Sequence, residues 1–337
     1  MTVINESEGI DLARRANLVA AMGFASGLAL GPTLARSADY PTKPIRVIVG
    51  TTPGSSTDSL TRAITDGMAE RLGATFVVEN RNGAGGTMAL TAGARAAPDG
   101  YFLTFGTPGP MLTAPSLYPG LPYNILADFD PIGGIGNYPN VLFVPRASPI
   151  NSVADLVKIA REQPGKLSYG SSGVGTSLHL ATVLLQRMTG MDVVHVPYKN
   201  LGSLPVDLAT GRLDFAFGTN AFIPLVKNNQ LRVIATSGAT RSQTFPNVKT
   251  VAEQGFPGYQ IDNWYALLAP KGTPFEIVQR LTKALDEVLG QGELRQKLAG
   301  DLDFTVQPAT PAEVRAHISA ELEKWAKIIK ESNVKIG

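Results

Sequence analysis

Two stretches of the chain change their hydrophobic period from two to nearly four across a glycine- and serine-rich turn. In residues 166–190, KLSYGSSGVGTSLHLATVLLQRMTG, the run around Leu167 and Tyr169 predicts a short buried strand. Gly170-Ser171-Ser172-Gly173-Val174-Gly175 is a tight turn that exposes backbone, and Thr176 or Ser177 caps a helix with its stripe at Leu178, Thr182, Leu185 and Met188. Residues 45–72, IRVIVGTTPGSSTDSLTRAITDGMAERL, repeat the order. Val47, Ile48 and Val49 form a strand, and Pro53-Gly54-Ser55-Ser56 turns the chain. Thr57 and Asp58 sit near the cap of a helix with Leu60, Ile64, Met68 and Leu72 on one face.

The same patterning assigns most of the remaining chain. Residues 75–80 and 101–105 predict strands, with an alanine-rich helix over 87–96 between them. Strand, helix, strand, helix, strand implies a parallel sheet, with ligands gathered at the carboxyl ends of its strands, here residues 50–56 and 106–109. Residues 115–136 are rich in proline and glycine and show little period. Further strands are expected at 141–144, 192–198, 213–217, 232–236 and 264–269, and helices from Ser152, at 205–208 and at 222–226. Asp155 completes a capping box with Ser152. Thr273-Pro274-Phe275-Glu276 opens a capped helix striped by Ile277, Leu281, Leu285 and Val288. Thr310-Pro311-Ala312-Glu313 opens the last, with Val314, Ile318, Leu322, Trp325 and Ile329 facing the core. The second half thus repeats the first, and the chain then returns. That order predicts one lobe of residues 38–140 and 237–337 and a second of 141–236, joined by two crossings that make a hinge.

The two strand–turn–helix units have a chemical consequence. The first amides of a helix lack partners and carry partial positive charge, so each unit can seat an anion without Lys or Arg. An ordinary loop whose glycines serve only the turn is the alternative. Composition narrows the rest. An apolar fraction of 44% supports two cores, and 35 glycines and 24 prolines suit many short connections. With a net charge of +2 and no basic stripe, nucleic acid is not an expected partner. There are no cysteines, hence no disulfides or thiolate metal sites. The glycines of residues 81–86 miss the dinucleotide fingerprint, because Met88 stands where its third glycine belongs. Arg14 and Arg15, an apolar run over 18–30 and Ala35-Arg36-Ser37 read as a secretory signal peptide over residues 1–37, cleaved after Ser37. The arginine pair hints at twin-arginine export, although Asn17 and Val19 fit that pattern poorly.

Of the three histidines, none has metal-ligand spacing. His195 alternates with Val194 and Val196 as a satisfied strand residue, His317 is expected on an exposed helix face, and His179 lies close enough to the turn to approach a ligand. A secreted hydrolase with Ser171 or Ser172 as nucleophile and His179 as base is the competing reading, but no GxSxG elbow or orienting acid accompanies them.

In order along the chain, YPTKPIRVIV, PGSSTD, VENRNGAGG, AAPDGY, LYPGLPYN, KLSYGSSGVGTSLHL, VHVPYK, PNVKTVAEQGFPG and LLAPKGTP resemble the solute-binding receptors of tripartite tricarboxylate transporters, the Bug or TctC family. The resemblance implies an α/β, two-lobed type II periplasmic-binding-protein fold, two Rossmann-like lobes joined by crossing strands. It also implies a receptor and not an enzyme, periplasmic and monomeric, with no cofactor. Its partners would be a small carboxylate ligand and membrane permease subunits. Carried onto this chain, the site would comprise Ser55, Ser56, Thr57, Asp58 and Thr107 in the first lobe. In the second it would comprise Ser172, Gly175, Thr176, Ser177, His179, Tyr198, Thr219 and Asn220. Two departures bear on the ligand's far end: Thr51 where the family often has Phe, and Gly218 where an acid is common.

Overall fold

The computed structural model describes residues 40–198 and 202–332, so the expected signal peptide lies outside the described residues. In chain order the first part comprises β1 (Ile45–Val49), α1 (Ser56–Leu72), β2 (Phe76–Asn80), α2 (Thr87–Ala94) and β3 (Phe102–Gly106). A π-helical turn (Gly109–Thr113) runs directly into α3 (Ala114–Leu117), followed by β4 (Phe129–Pro139). The second part holds β5 (Val141–Pro145), α4 (Val153–Glu162), β6 (Ser168–Ser171), α5 (Ser177–Thr189) and β7 (Val194–Pro197). It continues with α6 (Leu204–Ala209), β8 (Phe215–Gly218), α7 (Ile223–Lys227) and β9 (Leu231–Thr236). The last part comprises β10 (Asp262–Pro270), α8 (Phe275–Leu289), α9 (Gly292–Leu302), β11 (Thr305–Ala309) and α10 (Pro311–Glu331).

These strands form two sheets. One has the order β11-β4-β10-β3-β1-β2, the other β7-β6-β8-β5-β9. In the first, β2, β1 and β3 are parallel and β10 runs antiparallel beside β3. In the second, β7, β6 and β8 are parallel and β5 runs antiparallel beside β8. Each sheet therefore repeats one plan: a parallel trio, then a returning strand. Val47, Ile48 and Val49 are wholly buried, as are Ile64 and Met68 of α1. Along α10, Val314, Ile318, Trp325, Ile328 and Ile329 supply the apolar face, and the Trp325 indole N–H donates to Glu321 at 2.9 Å. Thr310 and Glu313 form the full capping box at its start.

Between the sheets the two connections run side by side. The Ser237 amide donates to the Asn140 carbonyl at 2.8 Å, and the Asn140 amide to the Ser237 hydroxyl at 2.8 Å. Asn263 Nδ2 adds a 2.8 Å bond to Asn140 Oδ1. Asn140 and Ser237 are fully buried, so these bonds are shielded from water, while Asn140 Nδ2 and the Thr236 hydroxyl beside them have no partner among the described residues.

Several expectations need correcting. The end of the segment that shows little period, residues 129–136, belongs to β4, an eleven-residue strand, and the hydrophobic pattern announces neither β11 nor α9. In β4, Pro131, Gly133, Gly134 and Gly136 replace the side chains whose alternation would mark a strand. Gly136 has φ +147°, and a Cβ there would lie 2.1 Å from the Thr305 carbonyl oxygen, so β11 approaches β4 over a bare backbone. Met188 is 39% exposed and off the buried stripe of α5. Thr273 does not cap α8: Pro274 occupies the cap position and the Thr273 hydroxyl donates to the Pro270 carbonyl. At α4 the Ser152 hydroxyl accepts from the Asp155 amide, but Asp155 accepts from Asn151 and not from Ser152. His317 is not exposed but half-buried against Trp264, with ring centroids 4.3 Å apart.

Gly136→Ala is expected to destabilise the protein by about 2–3 kcal/mol, the cost of a strained backbone together with the clash at Thr305. Urea unfolding should show the lower midpoint, and an unchanged midpoint would contradict this account of β4.

Candidate functional site

The strand register brings the expected site residues into two groups. At the carboxyl ends of β1 and β3 stand residues 55–58 and Thr107. At those of β6, β7 and β8 stand Ser172, residues 175–177, Tyr198, Thr219 and Asn220.

In the first group Ser55 is the N-cap of α1, its hydroxyl accepting from the Asp58 amide at 3.2 Å. Asp58 is 3% exposed and saturated: it accepts from the Gly54 amide at 2.9 Å, Asn80 at 2.8 Å and Arg62 at 3.1 Å. Burial alone would push its carboxyl up; the bonds from Arg62, Gly54 and Asn80 outweigh burial and hold it below its ordinary value. Asp58 therefore shapes the loop as a permanent anion. The Thr57 hydroxyl lies 3.2 Å from that of Tyr265, which donates to Tyr138 at 2.8 Å. Thr107 is nearly buried, and its carbonyl accepts from the Met111 amide. The Ser56 hydroxyl has no protein partner among the described residues.

In the second group Thr176 is the N-cap of α5, yet its side chain caps nothing. Its hydroxyl donates to the Gly173 carbonyl at 2.8 Å, so the amides of Ser177, Leu178 and His179 keep no acceptor among the described residues. By contrast α1, α4 and α10 are each capped by a hydroxyl. The Ser172 and Ser177 hydroxyls are likewise unengaged among the described residues. The Tyr198 amide donates to the Ser171 carbonyl and its hydroxyl to Asp207 at 2.8 Å; burial and the Asp207 carboxylate push its pKa up to about 12. Thr219 follows β8, and Asn220 Nδ2 donates to the Asp301 carbonyl of α9 at 3.4 Å.

His179 is 6% exposed, and its Nδ1 accepts from the Gly175 amide at 3.1 Å, which places its ring proton on Nε2. The His195 ring lies 4.2 Å away, centroid to centroid, and its Nε2 is 2.7 Å from the Ser171 hydroxyl. Burial, aided by His195, depresses His179 to about 3, and burial depresses His195 to about 4. His195 is thus the satisfied strand residue expected. The hydrolase geometry is not formed. His179 Nδ1 faces an amide and not a serine, and Ser171 is fully buried with its hydroxyl occupied by Gly173 and His195.

Thr113, Tyr138 and Tyr265 escaped sequence reading. The Thr113 hydroxyl donates to the Gly175 carbonyl at 3.0 Å, from the π-helical turn into the turn before α5. Nothing local to Gly109-Pro110 announces that contact, because it depends on the other sheet.

The model of the tripartite tricarboxylate transporter family receptor matches residues 60–334. The chain belongs to this family. An R. palustris protein solved with adipate is 35% identical with a TM-score of 0.80, covering 88% of this chain and 99% of its own. The periplasmic binding protein BugD is 30% identical with a TM-score of 0.76, over 88% and 99%. MatC from Rhodopseudomonas palustris, with bound malate, is 30% identical with a TM-score of 0.75, over 86% and 100%. This protein is therefore a two-lobed solute-binding receptor of a periplasmic family and not an enzyme. Among the described residues no helix is long and apolar enough to cross a membrane.

The paired imidazoles predict acid sensitivity. Unfolding lets both histidines take up protons at the ordinary value near 6.5, whereas in the fold they resist until about 3 and 4. Their contribution is complete above pH 6.5 and drains as pH falls towards 4. Melting temperature should drop over that interval, and His179→Asn, which keeps an acceptor without a titrating ring, should drop less steeply. Parallel curves for the two proteins would refute this.

Proposed function

We propose that this receptor captures a small carboxylate between its lobes and delivers it to membrane permease subunits. The observation that carries the reading is the start of α5, where three successive amides find no acceptor among the described residues and the N-cap threonine has turned its hydroxyl elsewhere. An aligned carboxylate would satisfy these donors without a basic side chain. Ser56, Thr57, Thr107, Ser172, Ser177, Thr219 and Asn220 add hydroxyls and an amide on the facing rims. Asp58, already saturated, and the cap Ser55 hold their loop in shape. Solved relatives carrying adipate and malate support a carboxylate as ligand.

The lobes would be residues 38–140 with 237–337, and 141–236, moving about the paired connections at Asn140 and Ser237. The allocation of strands to two sheets supports that division. The receptor acts as a monomer in the periplasm after removal of residues 1–37. N-terminal sequencing of exported protein should begin at Ala38, and a retained apolar run at 18–30 would overturn the cleavage.

Calorimetry with adipate tests the site. Ser56→Ala and Ser172→Ala should each weaken binding by about 1–3 kcal/mol, the worth of a hydrogen bond to a charged group, or roughly five- to 150-fold. Small-angle scattering should show a smaller radius with ligand. If both variants bind adipate as the parent does while Arg81→Ala loses it, the anion is held by charge and the helix-start reading fails.

A further inference from the structure

Gly175 is the one residue of the anion turn whose peptide groups are held from both sheets. Its N–H donates to His179 Nδ1 at 3.1 Å, within its own lobe. Its carbonyl accepts from the Thr113 hydroxyl at 3.0 Å, and Thr113 belongs to the chain that follows β3 of the other sheet. The residue is buried with φ +79°, and a Cβ there would lie 2.3 Å from Leu117 Cδ1, again from the other lobe. Both partners are themselves fixed. Thr113 is 5% exposed, and its single hydroxyl proton is shared between the Gly175 carbonyl and the Gly109 carbonyl, also 3.0 Å away. The His179 ring lies parallel to Tyr169, 11° between planes, and beside His195, whose Nε2 meets Ser171 at the far end of the same turn.

We propose that Thr113 and His179 are positioning residues that clamp Gly175 from the two lobes, so that the amides at the start of α5 come into line as the lobes meet. The inference rests on the reading that this turn holds the ligand. Neither residue needs to touch the ligand. His179 is buried with Nδ1 committed, and the Thr113 proton goes to protein carbonyls. Their effect passes through one peptide unit, immediately before the helix start. Gly175 is thus the point where loop order and lobe contact are the same event. Ligand release then requires the Thr113 bond to break, which places the effect of Thr113 on dissociation and not on encounter.

Four variants separate the roles. Thr113→Val keeps the branched shape and loses the donor, whereas Thr113→Ser keeps the donor. His179→Leu loses the acceptor, whereas His179→Asn keeps one at the position of Nδ1. Amide hydrogen exchange of residues 172–177 is read on protein saturated with adipate, where the lobes have met, and association and dissociation rates are read with the same acid. A neutral hydrogen bond is worth about 0.5–1.5 kcal/mol, so Val and Leu should speed loop exchange and adipate dissociation roughly two- to twelve-fold. Association should stay at the parent rate, and Ser and Asn should restore parent behaviour. Should His179→Leu fold poorly, the Thr113 pair decides alone. The proposal is overturned if Thr113→Val exchanges and releases adipate as the parent does, or if Ser fails to rescue it. Should adipate not bind the parent at all, the carboxylate reading falls and the clamp that rests on it falls too, an outcome distinct from parent-like exchange and release by Thr113→Val.

Discussion

A helix start leaves amides that must find an acceptor, and in this receptor the described residues supply none at α5. Thr176 spends its hydroxyl on Gly173, His179 spends Nδ1 on Gly175, and the amides of the first turn remain. That shortage fixes much else. The turn must expose backbone, so it is built from Gly173, Val174 and Gly175. It must also be rigid, so Ser171, His195 and Tyr169 brace it from behind. On the proposed reading this seat needs no cation, and the small hydroxyls beside it, Ser172 and Ser177, would pair with a carboxylate at little conformational cost.

The first lobe meets the same problem differently. Its helix start is capped by Ser55 and carries its own buried carboxylate, Asp58, tied to Arg62, Asn80 and the Gly54 amide. The two starts look alike in sequence, PGSSTD against SSGVGTSLH, yet at α1 the Ser55 hydroxyl takes up the Asp58 amide, whereas at α5 the matching His179 amide has no acceptor among the described residues. On the proposed reading the second lobe would supply the stronger anion seat, and the first would supply hydroxyls and the closing contact through Thr113.

Most elements were legible because caps and hydrophobic period agree: Ser152, Thr310 and the stripes of α1 and α10 stand where the pattern puts them. The parallel trios were legible for the same reason. What escaped is what depends on neighbours. β4 is concealed by Gly133, Gly134 and Gly136, which are there for the close approach of β11 and α8 and leave no alternation to read. The group at the carboxyl strand ends was legible from the turn chemistry, including the likeness of the two turns. That Thr176 leaves its helix uncapped, that His179 turns inward to its own loop, and that Thr113 reaches Gly175 are choices made by tertiary packing among alternatives the local sequence allows equally.

A crystal structure of the receptor with adipate tests the central claim most directly. The account predicts one carboxylate within about 3 Å of the Ser177 and Leu178 amides, the distance of a charge-assisted hydrogen bond, with no Lys or Arg in contact with it. A carboxylate seated instead on a guanidinium or ammonium group, with those amides facing only water, would contradict it.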